Sequence, residues 1–220
     1  MGQEFFFLVL VFLCSFNIVS SQNVCCSETE CYSMDPPWNS EIRPLPRPRC
    51  TANAIFRIYT RSNPNFPFNT TSTNITVTGS PYDPRKPTIF IFHGWMNSTT
   101  IESVRPLVMA ILACVDANVI VVDYSNVTAS ATYSQAVSDI RVVARRVSML
   151  VRVLTRETMV APSNIHLIGI SLGAHTAAYV AKLVPGLGKL TGILPKLIHL
   201  MTVHLQNFLV LIISMIKINW

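Results

Sequence analysis

The chain has 220 residues, of which 50% are hydrophobic and 13% are charged, and its formal net charge is +6. This length allows one domain with a hydrophobic core. The apolar excess lies near the two ends, so the middle has the composition of an ordinary globular domain. Several arginines gather between residues 141 and 156, but no aromatic residue lies among them, which gives little support to nucleic-acid binding. A solvated helix face explains these arginines better than attraction to an anionic lipid surface.

Residues 1–21 are predicted to be a secretory signal peptide. Residues 5–16 form an apolar run that is too short to span a bilayer comfortably. The small residues Val19 and Ser21 predict cleavage between Ser21 and Gln22. An uncleaved membrane anchor is the alternative. We therefore expect a secreted, extracellular protein.

Four Asn-x-Ser/Thr sequons agree with secretion, because this motif is the acceptor for N-glycosylation on the surface of secreted proteins. Each match alone is weak, but all four lie in stretches that we predict to be polar loops. Their asparagines are Asn69, Asn74, Asn97 and Asn126.

Five cysteines remain after the predicted signal peptide, and they are Cys25, Cys26, Cys31, Cys50 and Cys114. An odd number in a secreted chain leaves at least one thiol without a partner in that chain. Either Cys25 or Cys26 could pair with Cys31, and we expect Cys114 to be a buried free thiol. The spacings do not match a metal site, so we expect neither a metal nor a cofactor.

The N-terminal part of the mature chain, residues 22–50, is rich in cysteine and proline. Proline opposes helix formation, so residues 32–50 are predicted to be extended and irregular. Alternation predicts a strand over residues 55–59. Residues 61–74 are predicted to be a loop, and residues 75–78 a further short strand.

From residue 88 onward, apolar strands and helices alternate. Runs that are apolar on both faces predict buried strands at 88–92, 118–123 and 164–168. Helices are predicted at 102–114, beginning near Pro106, along an apolar stripe from Tyr133 to Leu154, and at 174–183. This order indicates an α/β fold with an open, mostly parallel sheet and helices on both faces.

A G-x-S-x-G motif at Gly169, Ser171 and Gly173 lies between the last of these strands and the following helix. This motif typically places a serine on a sharp strand-to-helix turn, with its hydroxyl exposed as a nucleophile. A serine needs a histidine as base and an acid to orient that histidine. In folds that use this turn the acid and the histidine follow the serine, yet no Asp or Glu occurs after Ser171.

The oxyanion formed during acyl transfer needs backbone N–H donors. One is expected from Leu172, the residue after the nucleophile, and the other from the loop after an earlier strand. The sequence His93-Gly94-Trp95 follows the strand at 88–92, and we expect the Trp95 amide to be the second donor. For His93 we expect a structural hydrogen-bonding role instead of that of a general base.

With these motifs, the chain resembles the pancreatic (triacylglycerol) lipase family of secreted animal lipases, which includes phospholipase A1-type members. The resemblance covers about residues 25–193. Its stretches are Cys31-Tyr32-Ser33-Met34-Asp35-Pro36-Pro37-Trp38, Arg57-Ile58-Tyr59-Thr60-Arg61, Ile91-Phe92-His93-Gly94-Trp95, Val121-Val122-Asp123-Tyr124, residues 164–175 and Leu190-Thr191-Gly192.

The resemblance implies an α/β-hydrolase fold and hydrolysis of lipid esters at a lipid–water interface. It implies Ser171 as nucleophile, oxyanion donors at Trp95 and Leu172, and a disulfide between Cys25 and Cys31. It does not tell triacylglycerol from phospholipid or galactolipid as substrate.

The chain departs from the family after residue 193. Where the family has its catalytic acid in a Thr-Gly-Leu-Asp-Pro-Ala run, this sequence has Leu194, and the family's histidine lies beyond the present C-terminus. We therefore expect the lipase domain, residues 51–195, to be incomplete at its C-terminal side. Residues 196–220 are interpreted as an aberrant apolar tail, and no stable membrane span is expected there.

Three hypotheses remain open. The first is a secreted lipid-ester hydrolase that is inactive as given, because the acid and the histidine are missing. The alternative is a non-catalytic lipid-binding or carrier protein of lipase ancestry. The third is a structural, membrane-tethered protein held by residues 199–218.

Overall fold

The computed structural model describes residues 23–36, 38, 44–95, 100–129 and 132–193. The predicted signal peptide and the tail at 196–220 lie outside these residues. The strands are β1 (Asn23–Ser27), β2 (Glu30–Ser33), β3 (Ile55–Tyr59), β4 (Phe68–Thr71), β5 (Thr88–Phe92), β6 (Asn118–Asp123), β7 (Ile165–Ile170) and β8 (Lys189–Ile193). The α-helices are α1 (Thr100–Cys114), α2 (Ser125–Ala129), α3 (Tyr133–Thr158) and α4 (Leu172–Leu183).

Six strands form one sheet in the order β4-β3-β6-β5-β7-β8. The four strands β6, β5, β7 and β8 are parallel to one another. At the other edge of the sheet, β3 pairs antiparallel with both β6 and β4. This arrangement confirms the predicted α/β class with a mostly parallel sheet.

Helices cover both faces of the sheet because alternate strand residues point to opposite sides. Phe90 and Phe92 of β5 belong to a core cluster shared with α3 and α4. Their neighbours Ile89 and Ile91 belong to a second cluster shared with α1. All five residues of β5 and all six of β6 are buried, which is why these strands were recognisable from sequence.

The long helix α3 has clear signals at both ends. Thr132 is its N-cap and accepts a hydrogen bond of 3.3 Å from the amide of Gln135, and Met159 ends it in the left-handed conformation with φ 59°. The expectation of a solvated arginine face is wrong for Arg141, which is only 7% exposed. The N-terminal hairpin of β1 and β2 contacts this part of α3, as the hydrogen bond from Arg141 to the carbonyl oxygen of Ser33 shows.

Two disulfides tie down the N-terminal segment. Cys25 is bonded to Cys31, and Cys26 is bonded to Cys50. Cys114 is free but exposed, so the expectation of a buried thiol was wrong. It is the last residue of α1, where the helix leaves the core.

Other expectations also need correction. Residues 75–78 do not form a strand, and β4 lies instead within the predicted loop. Pro106 is the seventh residue of α1 and does not mark its beginning. The strands β1, β2 and β8 were not predicted. No helix in the described part of the chain has the length and hydropathy needed to cross a membrane.

Candidate active site

Ser171 lies at the junction of β7 and α4 in a strained backbone conformation, with φ 54° and ψ −118°. A residue other than glycine adopts such angles only when the surrounding structure enforces them, and this strain is typical of functional sites. Ser171 is the N-cap residue of α4, yet its side chain makes no capping hydrogen bond. The hydroxyl is therefore not used to stabilise the helix, although serine is a favoured capping residue.

The two glycines of the motif are needed because the backbone passes very close to them. A Cβ atom on Gly169 would lie 2.4 Å from the Cα atom of Ala174, and one on Gly173 would lie 2.2 Å from the carbonyl oxygen of Phe92. Gly169 thus allows α4 to pack against β7, and Gly173 allows it to pack against the end of β5. This packing fixes the sharp turn at Ser171.

The loop after β5 lies directly against the serine. A Cβ atom on Gly94 would lie 3.2 Å from the Cβ atom of Ser171 and 3.8 Å from its Oγ atom. Trp95 is the next residue, and its half-buried ring contacts the edge of Tyr133 at a centroid distance of 5.5 Å. The loop predicted to supply an oxyanion donor is therefore a neighbour of Ser171, the predicted nucleophile.

Leu172, the other predicted donor, is the first residue of α4 and is buried. The first N–H groups of a helix have no acceptor within the helix, and they lie at the positive end of its dipole. The start of α4 therefore offers a favourable electrostatic environment for a developing negative charge beside Ser171.

His93 is engaged in the architecture of this loop. It is 1% exposed, its Nδ1 lies 2.9 Å from the carbonyl oxygen of Gly94, and its Nε2 lies 3.2 Å from the amide of Tyr124. These contacts define a neutral ring in which Nδ1–H donates and Nε2 accepts. Burial lowers the pKa of His93, which also favours the neutral form. With both nitrogens occupied, the ring holds the loop and has no nitrogen free to act as a base.

Tyr124 is a residue of this site that sequence reasoning missed. Its ring stacks on His93 with centroids 4.0 Å apart, and its hydroxyl donates a hydrogen bond to the carbonyl oxygen of His93. Tyr124 follows β6, so it connects the ends of two neighbouring strands. Its place directly after a buried strand was the available signal.

The end of β8 lies beside Ser171. Ile193 is the register partner of Ile170, and its carbonyl oxygen accepts a hydrogen bond of 2.8 Å from the amide of Ser171. Leu194, where the resemblance predicts the family's acid, follows Ile193 directly in the sequence and lies outside the described residues. The carboxyl ends of parallel strands meet at one edge of a sheet, where sites of α/β proteins form.

Three of the four predicted glycosylation sites fall within the described residues. Asn69, Asn74 and Asn126 are exposed. Asn69 lies in β4 and Asn126 in α2, so these two are not in loops as expected. Asn97 lies outside the described residues.

A strained serine on a strand-to-helix turn, at the end of a strand in a mostly parallel sheet, defines a protein of the α/β-hydrolase class. Comparison with known proteins agrees, because the family model described as Lipase matches residues 22–203. The chain belongs to the lipase family.

Several curated proteins are similar to this chain. Pancreatic lipase-related protein 2 of Myocastor coypus is 34% identical over 178 residues, which are 78% of this chain and 38% of the relative. Inactive pancreatic lipase-related protein 1 of Homo sapiens is 32% identical over 195 residues, which are 86% and 41% of the two chains. Pancreatic triacylglycerol lipase of Homo sapiens is 30% identical over 182 residues, which are 80% and 39%. The chain thus spans only 38 to 41% of the length of these relatives.

Proposed function

We propose that this chain carries the nucleophile half of a secreted lipid-ester hydrolase, of the triacylglycerol lipase or phospholipase A1 type, that works at a lipid–water interface. The observation that carries the proposal is the backbone of Ser171 at φ 54° and ψ −118°, with a hydroxyl that caps nothing. This backbone conformation destabilises the folded state by about 1–3 kcal/mol. We infer that it persists because it exposes the hydroxyl for attack on an acyl group.

In the proposed step, Oγ of Ser171 forms a bond to the acyl carbon of the ester. The hydroxyl proton passes to a general base, which is a histidine in the family. That base returns the proton to the alcohol oxygen as the acyl–oxygen bond breaks, so that the alcohol leaves. The amides of Trp95 and Leu172 are proposed to stabilise the oxyanion. This proposal is supported by the closeness of Gly94 to Ser171 and by the position of Leu172 at the start of α4.

We propose that the 220-residue polypeptide turns over ester very slowly. Leu194 occupies the place of the acid in the family's pattern, and a leucine side chain can neither orient an imidazole nor stabilise its charge. Loss of the acid alone lowers turnover by about ten-thousandfold. Acylation of Ser171 and release of the acyl group should both be slow. Acylation by a p-nitrophenyl ester should be affected less, because the p-nitrophenolate leaving group needs no proton.

A second candidate is a lipid-binding protein without catalysis. Two observations favour it: the leucine at the acid's place, and similarity to relatives whose names call them inactive. This protein would keep the hydrolase scaffold for binding, and Ser171 would have no reactive role.

Acylation by p-nitrophenyl butyrate separates the two candidates. We expect intact-mass and peptide mass spectrometry to show a butyryl group on Ser171 in the wild-type chain and in the Ser163→Ala control. Ser163 is exposed and lies in a short 3-10 helix, Pro162–Asn164. The Ser171→Ala variant should remain unmodified. An unmodified wild-type chain would contradict the hydrolase proposal and favour the lipid-binding candidate.

The family resemblance also leads us to propose secretion and the domain boundaries of this chain. We propose that residues 1–21 are a signal peptide, that residues 22–50 precede a lipase domain at 51–195, and that the exposed Asn69, Asn74 and Asn126 carry glycans, as does Asn97. N-terminal sequencing of protein from the culture medium should begin at Gln22. A mature protein that begins at Met1 would contradict the signal peptide.

A further inference from the structure

A cavity of about 260 Å³ lies between the β1–β2 hairpin, the middle of α3 and the C-terminal part of α4. We call it the hairpin pocket. Its walls include the aromatic rings of Tyr32, Trp38 and Tyr179, and the rings of Trp38 and Tyr179 lie 5.2 Å apart. Lys182 lines the pocket and lies eleven positions after Ser171 along the sequence. At about 1.5 Å per residue, it is roughly 16 Å along α4 from the proposed active site.

Arg141 lies in this pocket as a buried charge. Arg141 is only 7% exposed. Its guanidinium donates a hydrogen bond of 2.6 Å to the carbonyl oxygen of Ser33 and contacts the sulfur of Met34 at 3.6 Å. It also lies 4.9 Å from the centre of the Trp38 ring. Its Nε atom is buried and has no hydrogen-bond partner in the described part of the chain. A buried cation held by neutral groups alone is costly, so an anion would be bound favourably here.

The other charged groups of the pocket add to this positive potential. Arg145 and Lys182 also line it, and Arg145 donates to the carbonyl oxygen of Thr29 at 3.2 Å. Glu30 is the acid among the lining residues, but it pairs with Arg146 at 3.0 Å and accepts a hydrogen bond from Tyr32. Glu30 is thus already neutralised, and the three remaining cations act in a partly apolar recess where electrostatic attraction is strong.

A second cavity, of about 310 Å³, lies next to the hairpin pocket and shares Leu183 with it. Val151, Val184 and Pro185 form apolar parts of its wall, and Arg152 and Arg156 also line it. From Arg141 to Thr155 at the far cavity, α3 rises about 21 Å, at about 1.5 Å per residue. A ligand with a charged head and an extended aliphatic tail therefore fits this groove between α3 and α4 better than a compact ion.

We propose that the hairpin pocket binds the carboxylate of a fatty acid, and that the aliphatic chain lies past Leu183 in the second cavity. The carboxylate would be attracted by the combined positive charge of Arg141, Arg145 and Lys182, which all line the pocket. The inference does not depend on the proposed function, because the groove and the serine lie at opposite ends of α4. In a lipase the site would retain a product of ester cleavage away from the nucleophile.

The test is calorimetric titration of the full chain with decanoate, decanol and acetate. We expect decanoate to bind, and decanol and acetate to bind at least about tenfold more weakly. Decanol lacks the carboxylate that the cations would hold, and acetate lacks the aliphatic chain. The Arg145→Gln/Lys182→Gln variant should lose about tenfold in decanoate affinity. A control variant, Arg47→Gln/Lys189→Gln, removes the same charge from exposed positions outside the pocket and should bind as the wild type does.

Leu183→Gln tests the shared wall separately. This variant should weaken decanoate binding and leave acetate binding unchanged, and thermal unfolding should show that all variants are folded. Equal binding of decanoate and decanol would overturn the proposal. So would unchanged decanoate affinity in the Arg145→Gln/Lys182→Gln variant, or a wild-type chain that binds no decanoate.

Discussion

The backbone amide of Ser171 donates a hydrogen bond of 2.8 Å to the carbonyl oxygen of Ile193. The strained turn at Ser171 is thus attached to the end of β8, the strand after which the resemblance predicts the family's acid. The turn also depends on β5 and on the loop that follows it, because the end of β5 lies against Gly173 and Gly94 lies against Ser171. The conformation of Ser171 is thus held by its surroundings.

The glycines of the turn should be intolerant of a methyl group. A Cβ atom on Gly169 or Gly173 would lie 2.4 or 2.2 Å from backbone atoms, which cannot move without separating α4 from the sheet. We expect Gly169→Ala and Gly173→Ala each to lower the free energy of unfolding by roughly 1–3 kcal/mol or more. Urea denaturation monitored by circular dichroism measures this.

Gly192→Ala is the matched control for these variants. Its Cβ atom would lie 3.4 Å from the Cβ atom of Ala174, which is an ordinary contact. We expect its free energy of unfolding to stay within about 0.5 kcal/mol of the wild type. If Gly169→Ala and Gly173→Ala were as stable as Gly192→Ala, close packing around the turn would not be the reason for the motif.

The backbone strain at Ser171 should appear as a difference in the free energy of unfolding between two variants. Glycine adopts φ 54° and ψ −118° without the steric penalty that a Cβ atom brings, whereas alanine retains this penalty. After subtraction of the greater chain entropy that glycine loses on folding, we expect Ser171→Gly to be more stable than Ser171→Ala by about 1 kcal/mol. Thermal and urea unfolding of the pair would show this order, and the reverse order would mean that the turn is unstrained.

His166 should make the protein less stable in mild acid. Burial, aided by the charge of Lys189, lowers the pKa of His166 from 6.5 to about 4, and its Nε2 lies 2.9 Å from the hydroxyl of Thr191 in β8. The unfolded chain takes up the proton first as the pH falls. Stability is therefore lost between about pH 6.5 and 4 and is not lost further through this group below that range.

The variant His166→Gln removes the titrating group and can keep a hydrogen bond to Thr191. We expect its free energy of unfolding to change less between pH 7 and 4 than that of the wild type. Some dependence should remain, because burial lowers the pKa of His93 in the same direction. Identical pH profiles for the two proteins would show that His166 is not held neutral by the fold.

The central strands and the motif could be read from the sequence because local pattern and burial coincide there. The strands β5 and β6 are apolar on both faces and buried throughout. Gly169 and Gly173 indicate that backbone segments lie close together around Ser171. The disulfide between Cys25 and Cys31 followed from the family resemblance and is present. The orientation of the Trp95 amide towards an oxyanion stays a prediction.

The features that sequence reasoning missed depend on contacts between distant segments. The burial of Arg141 results from the hairpin that covers α3, more than 100 residues away in the chain. The link between Tyr124 and His93 joins two strand ends. The strand β8 forms by pairing with β7, although it begins with a charged lysine. In each case a partner, and not the local pattern, decides the structure.

Labelling with a fluorophosphonate tests the central claim most directly, because this reagent reacts with serines that the fold has made nucleophilic. Peptide mass spectrometry should locate the label on Ser171 of the folded chain. The same protein unfolded in urea should remain unlabelled, as should folded Ser171→Ala. Labelling of other serines to the same extent, or equal labelling of folded and unfolded protein, would contradict the claim that this turn is built for attack on an acyl carbon.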